Sequence, residues 1–236
     1  MKRQKMKIVF SLFIEASFAY KDSHYAQAIS KYEEILKEGF ANGNLYYNLA
    51  NSYFKKQDLG QAALNYERAM LYIPRDSDLH SNYEYVRSLL NINRQEMPGN
   101  RFQRWIDRLF SSISINGLTI FLSCLYFMAV LLLSLNLFFK GFIRISRPIL
   151  LLLIPLFLVA ALSLGRKVDH LEKGAIVISR QAEVKFEPLA TATTFFKLSE
   201  GSLVEILEKT GSWYKIKRSD GKLGWVDSSG VEPIKG

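Results

Sequence analysis

The chain has 236 residues, 49% of them apolar and 13% aromatic, which excludes a disordered or collagen-like polypeptide and leaves room for one large domain or several small ones. The net charge of +9, from 31 Lys and Arg against 22 Asp and Glu, raises nucleic acid as a partner. Its distribution argues against one: residues 1–110 carry 16 basic and 12 acidic groups, 111–165 three and none, and 166–236 12 and 10, so no folded segment is strongly basic. A single cysteine, Cys124, excludes an intrachain disulfide framework and a Cys-based zinc site.

The N-terminus reads first as an export-like segment over 1–19. Lys2, Arg3, Lys5 and Lys7 precede a short apolar stretch from Ile8 to Ile14, and Ser17 and Ala19 supply small residues at its end. Ser11 and Glu15 depart from that pattern. The same residues belong to a second pattern. Compared with itself at a shift of 34, the chain pairs Ala16 with Ala50, Tyr20 with Phe54, Ala28 with Ala62, Tyr32 with Tyr66 and Leu36 with Met70, the period of a paired-helix solenoid. The alanines let helix backbones approach while the tyrosines fill the adjoining holes, and Pro74 stops the second unit. Removal of 1–19 would take away Ala16 and most of the first helix, so the two readings conflict.

The run YYNLANSYFKKQDLGQAALNYERAMLYIPRD, from Tyr46 to Asp76, resembles the tetratricopeptide repeat (TPR), and EASFAYKDSHYAQAISKYEEILKEG resembles it less closely. The resemblance predicts an α-helical TPR solenoid over 12–93, closed by a capping helix from Leu79 to Asn93. It implies a concave partner-binding groove whose positions fall here on Asn44, Tyr47, Asn48, Asn51, Phe54, Lys55 and Asn82. Amide side chains there suit the backbone of an extended peptide, and Tyr47 and Phe54 would otherwise be exposed aromatics. The alternative is an ordinary solvated helix face on a spacer domain.

A juxtamembrane segment, 94–117, leads to 22 uncharged residues from Leu118 to Phe139, which as a helix span about 33 Å at about 1.5 Å per residue. A second uncharged run, Pro148 to Gly165, has 18 residues and a proline, Pro155, that would kink it. The 140–147 connector, with Lys140, Arg144 and Arg147, is short enough to force an antiparallel transmembrane hairpin with both flanking parts on one side. Ser134 and Asn136 are placed to help the two helices pack, and Cys124 is expected to be buried.

Beyond Gly174 the pattern turns to short strands, AIVIS, AEVKFEP, TFFKL, SLVEILEK, SWYKIKR and KLGWVD, which predict a small all-β barrel over 174–234 with a hairpin at Asp220-Gly221. The segments E-G-x-x-V-E-I-L, G-x-W-Y-K-I and D-G-x-x-G-W-V resemble a bacterial SH3-type domain. That resemblance implies a non-catalytic binding module, with Trp213, Tyr214 and Trp225 as candidate partner contacts. The same rings are what a small barrel needs for its own core, and both readings stay open.

His24, His80 and His170 have no ligand spacing, and no nucleophile elbow, phosphate loop or His-Glu-x-x-His motif occurs. Glu33-Glu34 reads as solvated charge on a helix. No catalytic residue, metal or cofactor is expected. The whole order, export-like start, TPR, two linked spans and SH3-like end, resembles the BatE family of the Bacteroides aerotolerance operons. That resemblance implies a multi-pass protein of the bacterial cytoplasmic membrane with periplasmic TPR and SH3-like domains. It also implies a scaffold acting with Bat proteins that carry von Willebrand factor A domains and with a MoxR-type ATPase. The alternative is a cell-envelope receptor that binds peptidoglycan peptides through the SH3-like domain.

Overall fold

The computed structural model describes residues 2–92, 101–139 and 141–235, so expectations resting on 93–100 and on Lys140 lie outside the described residues. The chain forms two compact units, one of Met1–Pro98 with His170–Gly236 and one of Gly99–Asp169.

The first unit begins with five helices, α1 (Lys2–Lys21), α2 (Tyr25–Lys37), α3 (Gly43–Lys55), α4 (Leu59–Tyr72) and α5 (Ser77–Leu89). Asn42, Asp58 and Asp76 start α3, α4 and α5 by accepting from the backbone N–H of Leu45, Gln61 and Leu79. α1 and α2 run antiparallel, with Glu15 paired to Lys31 at 2.7 Å and Lys5 to Glu38 at 3.1 Å, and so do α3 and α4, where the Tyr66 hydroxyl donates to Asn51 at 2.6 Å and Tyr46 stacks with Tyr72. Ala16, Ala28, Ala50 and Ala62 are fully buried between them.

The 34-residue period reappears in the backbone. Ser23, Gln57 and Asn91, at that spacing, have positive φ of 62°, 66° and 53°. The next N–H folds back each time, His24 to Ala19, Asp58 to Tyr53 and Ile92 to Arg87, closing the ends of α1, α3 and α5 alike. α5 therefore repeats the phase of α1 and α3. It runs Ser77–Leu89 rather than the expected Leu79 to Asn93, because Asp76 caps it earlier and Asn91 turns the chain out of it. A non-glycine residue in the left-handed region costs about 1–2 kcal/mol, so Gln57→Gly is expected to stabilise the unit by about 0.5–1 kcal/mol, the unfolded chain's added entropy taking back the rest. A thermal melt of the detergent-solubilised chain checks this, with Gln57→Ala as the variant that should gain nothing.

The C-terminal part is an antiparallel sheet of β1 (Gly174–Val177), β2 (Gln181–Lys185), β3 (Thr194–Ser199), β4 (Leu203–Thr210), β5 (Trp213–Arg218), β6 (Leu223–Asp227) and β7 (Val231–Pro233), in the order β3-β2-β6-β5-β4-β1-β7. β3 and β7 stand at the two ends of that order, and Val177, Val184, Val204, Ile216 and Val226 form the sheet's own core. Asp220-Gly221 makes the β5–β6 turn with Gly221 at φ 88°. In β4 the side-chain alternation breaks at Leu207, where the register with β5 shifts between Ile206 and Glu208 and leaves Leu207 exposed.

Helices and sheet of this unit share a second core. Ile176 and Ile234 are buried in the same cluster as Leu45, Leu64, Leu79 and Val86. Gly60 makes the close approach: its N–H donates to Glu200 at 2.6 Å, and a Cβ there would lie 2.8 Å from the Ile178 carbonyl oxygen.

The other unit holds α6 (Arg101–Leu109), α7 (Ile115–Phe138) and α8 (Ile143–Lys173) as far as Asp169. α7 and α8 are both long and apolar enough to cross a membrane. Each exceeds its expected span. Ser114 caps α7 four residues before Leu118, and α8 starts within the expected 140–147 loop because the Ile145 and Ser146 N–H groups already bond to Phe142. Arg144 and Arg147 thus lie in the first turns of α8, which runs through Pro148 and Pro155. Asn136 accepts from Ser146 at 2.8 Å across the hairpin, whereas among the described residues Ser134 bonds to its own helix at Val130. Cys124 is exposed on α7 rather than buried.

Candidate binding faces

Tyr47, Asn51 and Asn82, three of the helix positions singled out from the repeat, come together. Asn82 on α5 donates to the Tyr47 hydroxyl at 2.8 Å and to Asn51 Oδ1 at 3.2 Å, and Asn51 also accepts from Tyr66. Tyr47 lies against Tyr66, and Phe54 meets Tyr85 edge-on at 5.8 Å. Tyr47 and Phe54 are therefore half-buried, not exposed, and Asn51 and Asn82 already spend hydrogen bonds on each other. Asn48 is half-buried, and Lys55 and Asn44 are exposed. The result is a pre-ordered face of amides and rings rather than a set of free side chains.

Other functional-looking groups were not legible in the chain. Glu33 accepts a hydrogen bond from the Tyr53 hydroxyl, so it is not simply solvated. Glu67 joins two elements distant in sequence: it accepts from Tyr83 at 2.6 Å and lies 2.9 Å from His170 Nε2. Burial pushes the Glu67 carboxyl up, but the His170 and Tyr83 hydrogen bonds and the Arg87 charge outweigh it and hold it below the usual carboxylate value. A depressed carboxylate stabilises above its unfolded value near 4.5 and loses that contribution as pH falls through the lower folded value. A hollow of about 500 Å³ opens between α1, α2 and α3, lined by Met6, Val9, Phe10, Phe13, Phe40 and Leu45. Val9, Phe10 and Phe13 are among the residues whose apolarity otherwise reads as the core of an export signal.

On the sheet, the register places Lys215 opposite Trp225, and Trp225 opposite Lys185, on one outward face. The three aromatic candidates are all half-buried with an ammonium over each ring: Lys185 over Trp213 at 5.9 Å, Lys209 over Tyr214 at 5.5 Å and Lys215 over Trp225 at 5.7 Å. They divide by face. Tyr214 packs on the sheet core beside Ile206 and Phe196, while Trp213 and Trp225 lie on the other side of the pleat. Tyr214 thus belongs to the core of the sheet, and Trp213 and Trp225 to its opposite face.

The loop between β2 and β3 adds what the sequence reading missed. Phe186 and Phe195 are exposed with centroids 4.4 Å apart, Phe195 meets Phe196 at 5.2 Å, and Leu189 stands exposed beyond them. The Lys185 ammonium, bonded to the Ala190 carbonyl, links this loop to the Trp213 ring. Apolar and aromatic surface flanked by lysines is what an extended peptide with acidic groups would find complementary. No curated protein matches the chain. Residues 182–232, the stretch from β2 to β7 that carries this aromatic and lysine face, match the family described as a bacterial SH3 domain.

Proposed function

We propose that the protein is a non-enzymatic, membrane-anchored scaffold that presents a TPR-type helical domain and an SH3-like domain on one side of the bacterial cytoplasmic membrane. The carrying observation is the common core, in which Ile176 and Ile234 of the sheet are buried among the repeat helices, so the two binding faces are held as one body. The recurrence of helix ends at Ser23, Gln57 and Asn91 supports the TPR-type reading. The apolar lengths of α7 and α8 support the membrane anchor. Their hairpin connection returns the chain to the side it left, the outer, periplasmic side in this proposal.

The partners follow from resemblance to the BatE family: membrane or periplasmic proteins with von Willebrand factor A domains and a MoxR-type ATPase. On this reading Tyr47, Asn48, Asn51, Phe54, Lys55 and Asn82 form one docking face, and Trp213 and Trp225 with the β2–β3 loop form the other. Tyr214 serves the core. The lysines over Trp213 and Trp225 favour one second reading, a receptor for peptidoglycan stem peptides, whose free carboxylates suit that face.

Cross-linking in intact cells tests the choice. The scaffold is expected to be captured with von Willebrand factor A proteins, and Phe186→Ala with Trp225→Ala should reduce that capture about tenfold, the loss of roughly 1.4 kcal/mol or more of contact. Retention of the detergent-solubilised chain on isolated wall fragments, lost in the same double variant while protein capture is unchanged, would replace the scaffold by the receptor.

A further inference from the structure

α6 was not anticipated as an element, and its surface is divided in an informative way. Along RFQRWIDRL and the following Phe110, the apolar side chains Phe102, Trp105, Ile106, Leu109 and Phe110 occupy one continuous arc at helical spacing. One edge of that arc is satisfied within the protein: Ile106 and Phe110 are 1% and 5% exposed, packed with Leu118 of α7 and Ala160 of α8. The other edge is not: Phe102, Trp105 and Leu109 are 55%, 52% and 55% exposed, with the Phe102 and Trp105 rings stacked at 6.1 Å. On the polar side Asp107 takes a bidentate pair from Arg166, at 2.8 and 2.7 Å, which pins the rotation of α6 about its own axis.

Depth identifies what covers the open edge. α6 packs against Phe121 and Leu122 near the start of α7 and against Val159 and Leu164 near the end of the apolar run of α8. On α8 this is the end of the apolar run, where charge resumes at Arg166 and Lys167, and on α7 it is the end nearer Arg108, the last charge before that run. A helix held at that level, with a tryptophan, a phenylalanine and a leucine on one side and arginines on the other, has the composition of a segment lying in the headgroup layer. Arg101 and Arg108, both exposed, suit anionic headgroups.

We propose that α6 lies in the bilayer interface, with Phe102, Trp105 and Leu109 inserted at the headgroup–acyl boundary, and that it fixes the depth at which the hairpin sits. The proposal rests on α7 and α8 spanning the membrane, and the experiment separates the two. The full chain is reconstituted in vesicles of phosphatidylcholine and phosphatidylglycerol in equal parts, brominated either near the headgroup end of the chains or near their methyl end. Trp105 is isolated as the difference in tryptophan emission between the parent chain and Trp105→Phe. Cys124, exposed partway along α7, carries an environment-sensitive fluorophore as the marker of insertion.

The expected result is that shallow bromines quench the Trp105 emission about twofold or more, deep bromines quench it less, and the Cys124 probe shows the reverse order. A quenched Cys124 probe with Trp105 unaffected by either lipid overturns the interfacial helix and leaves the spans standing. Equal quenching of Trp105 by both lipids overturns the depth assignment. A blue-shifted Trp105 that no bromine reaches, appearing only at high protein-to-lipid ratio, means that a second copy covers the edge and also overturns it. If the Cys124 probe is not quenched, the spanning reading itself has failed and the proposal with it.

Discussion

Methionine in place of Arg68 is expected to lower the stability of the first unit by about 2–4 kcal/mol, the cost of leaving several buried acceptors without a donor. Arg68 is 7% exposed in α4, yet its partners lie at the far end of the chain. Nε donates to the Ile234 carbonyl at 2.9 Å, and Nη2 donates to the Pro233 carbonyl at 2.9 Å and to Glu232 at 3.1 Å. Nη1 holds Asn65, and Gln61 secures the other Glu232 oxygen at 2.7 Å. Methionine keeps most of the aliphatic stem and removes the fork, so the effect reads the hydrogen bonds rather than the packing. Hydrogen exchange on the detergent-solubilised chain should show protection lost first in β7 and then in β1. Arg68→Lys should recover only a fraction, because one ammonium does not reproduce the planar fork. A melt and an exchange pattern indistinguishable from the parent would mean that the helices and the sheet are not held by this residue.

The second large effect is alkaline. Tyr53, Tyr66 and Tyr83 are all buried, and burial, the leading cause in each, pushes their hydroxyls well above the ordinary value of 10.0. The neighbouring carboxylates add to it, Glu33 at Tyr53 and Glu67 at Tyr83. A group whose folded pKa is raised contributes stability that is complete below its unfolded value, here about 10, and disappears as pH rises beyond it. Each such tyrosine accounts for about 1.4 kcal/mol between pH 9 and pH 11, so the three together remove about 4 kcal/mol over that interval. Tyrosinate absorbance followed against pH should show these hydroxyls ionising in one step coincident with the loss of helical circular dichroism, after the exposed tyrosines have titrated. Tyr66→Phe should make the stability loss over that interval about 1.4 kcal/mol smaller. Gradual ionisation of all tyrosines while the helices remain intact would show that the three hydroxyls have access to water.

Much of the architecture was readable because it rests on short-range rules. The 34-residue spacing of Ala16 with Ala50 and Ala28 with Ala62 marks where backbones must approach, and these alanines are fully buried. Asp220-Gly221 marks a hairpin by its own backbone preference. What escaped depends on residues far apart in sequence. Glu67 and His170 are separated by 103 positions, and Arg68 and Ile234 by 166; nothing local to either partner announces the other. α6 escaped for a different reason: nine residues bordered by arginines read as linker until Ile106 and Phe110 are seen to have something to pack against. On the candidate faces, residue types were legible but orientation was not. Trp213 and Tyr214 are neighbours in sequence and therefore lie on opposite sides of the pleat, and the Phe186–Phe195 pair forms only when β2 and β3 meet.

The place of β1 bears on how portable the SH3-like part is. Gly174–Val177 lies outside the matched stretch 182–232, yet it sits between β4 and β7 and bonds to both. A fragment cut at the family boundaries would therefore lose the strand that joins β7 to the rest of the sheet, along with Ile176 and Ile234, which seat the sheet among the helices. In this protein the sheet is seated on a strand outside the matched stretch and on the helical bed beneath, and transplanting it intact would require carrying both.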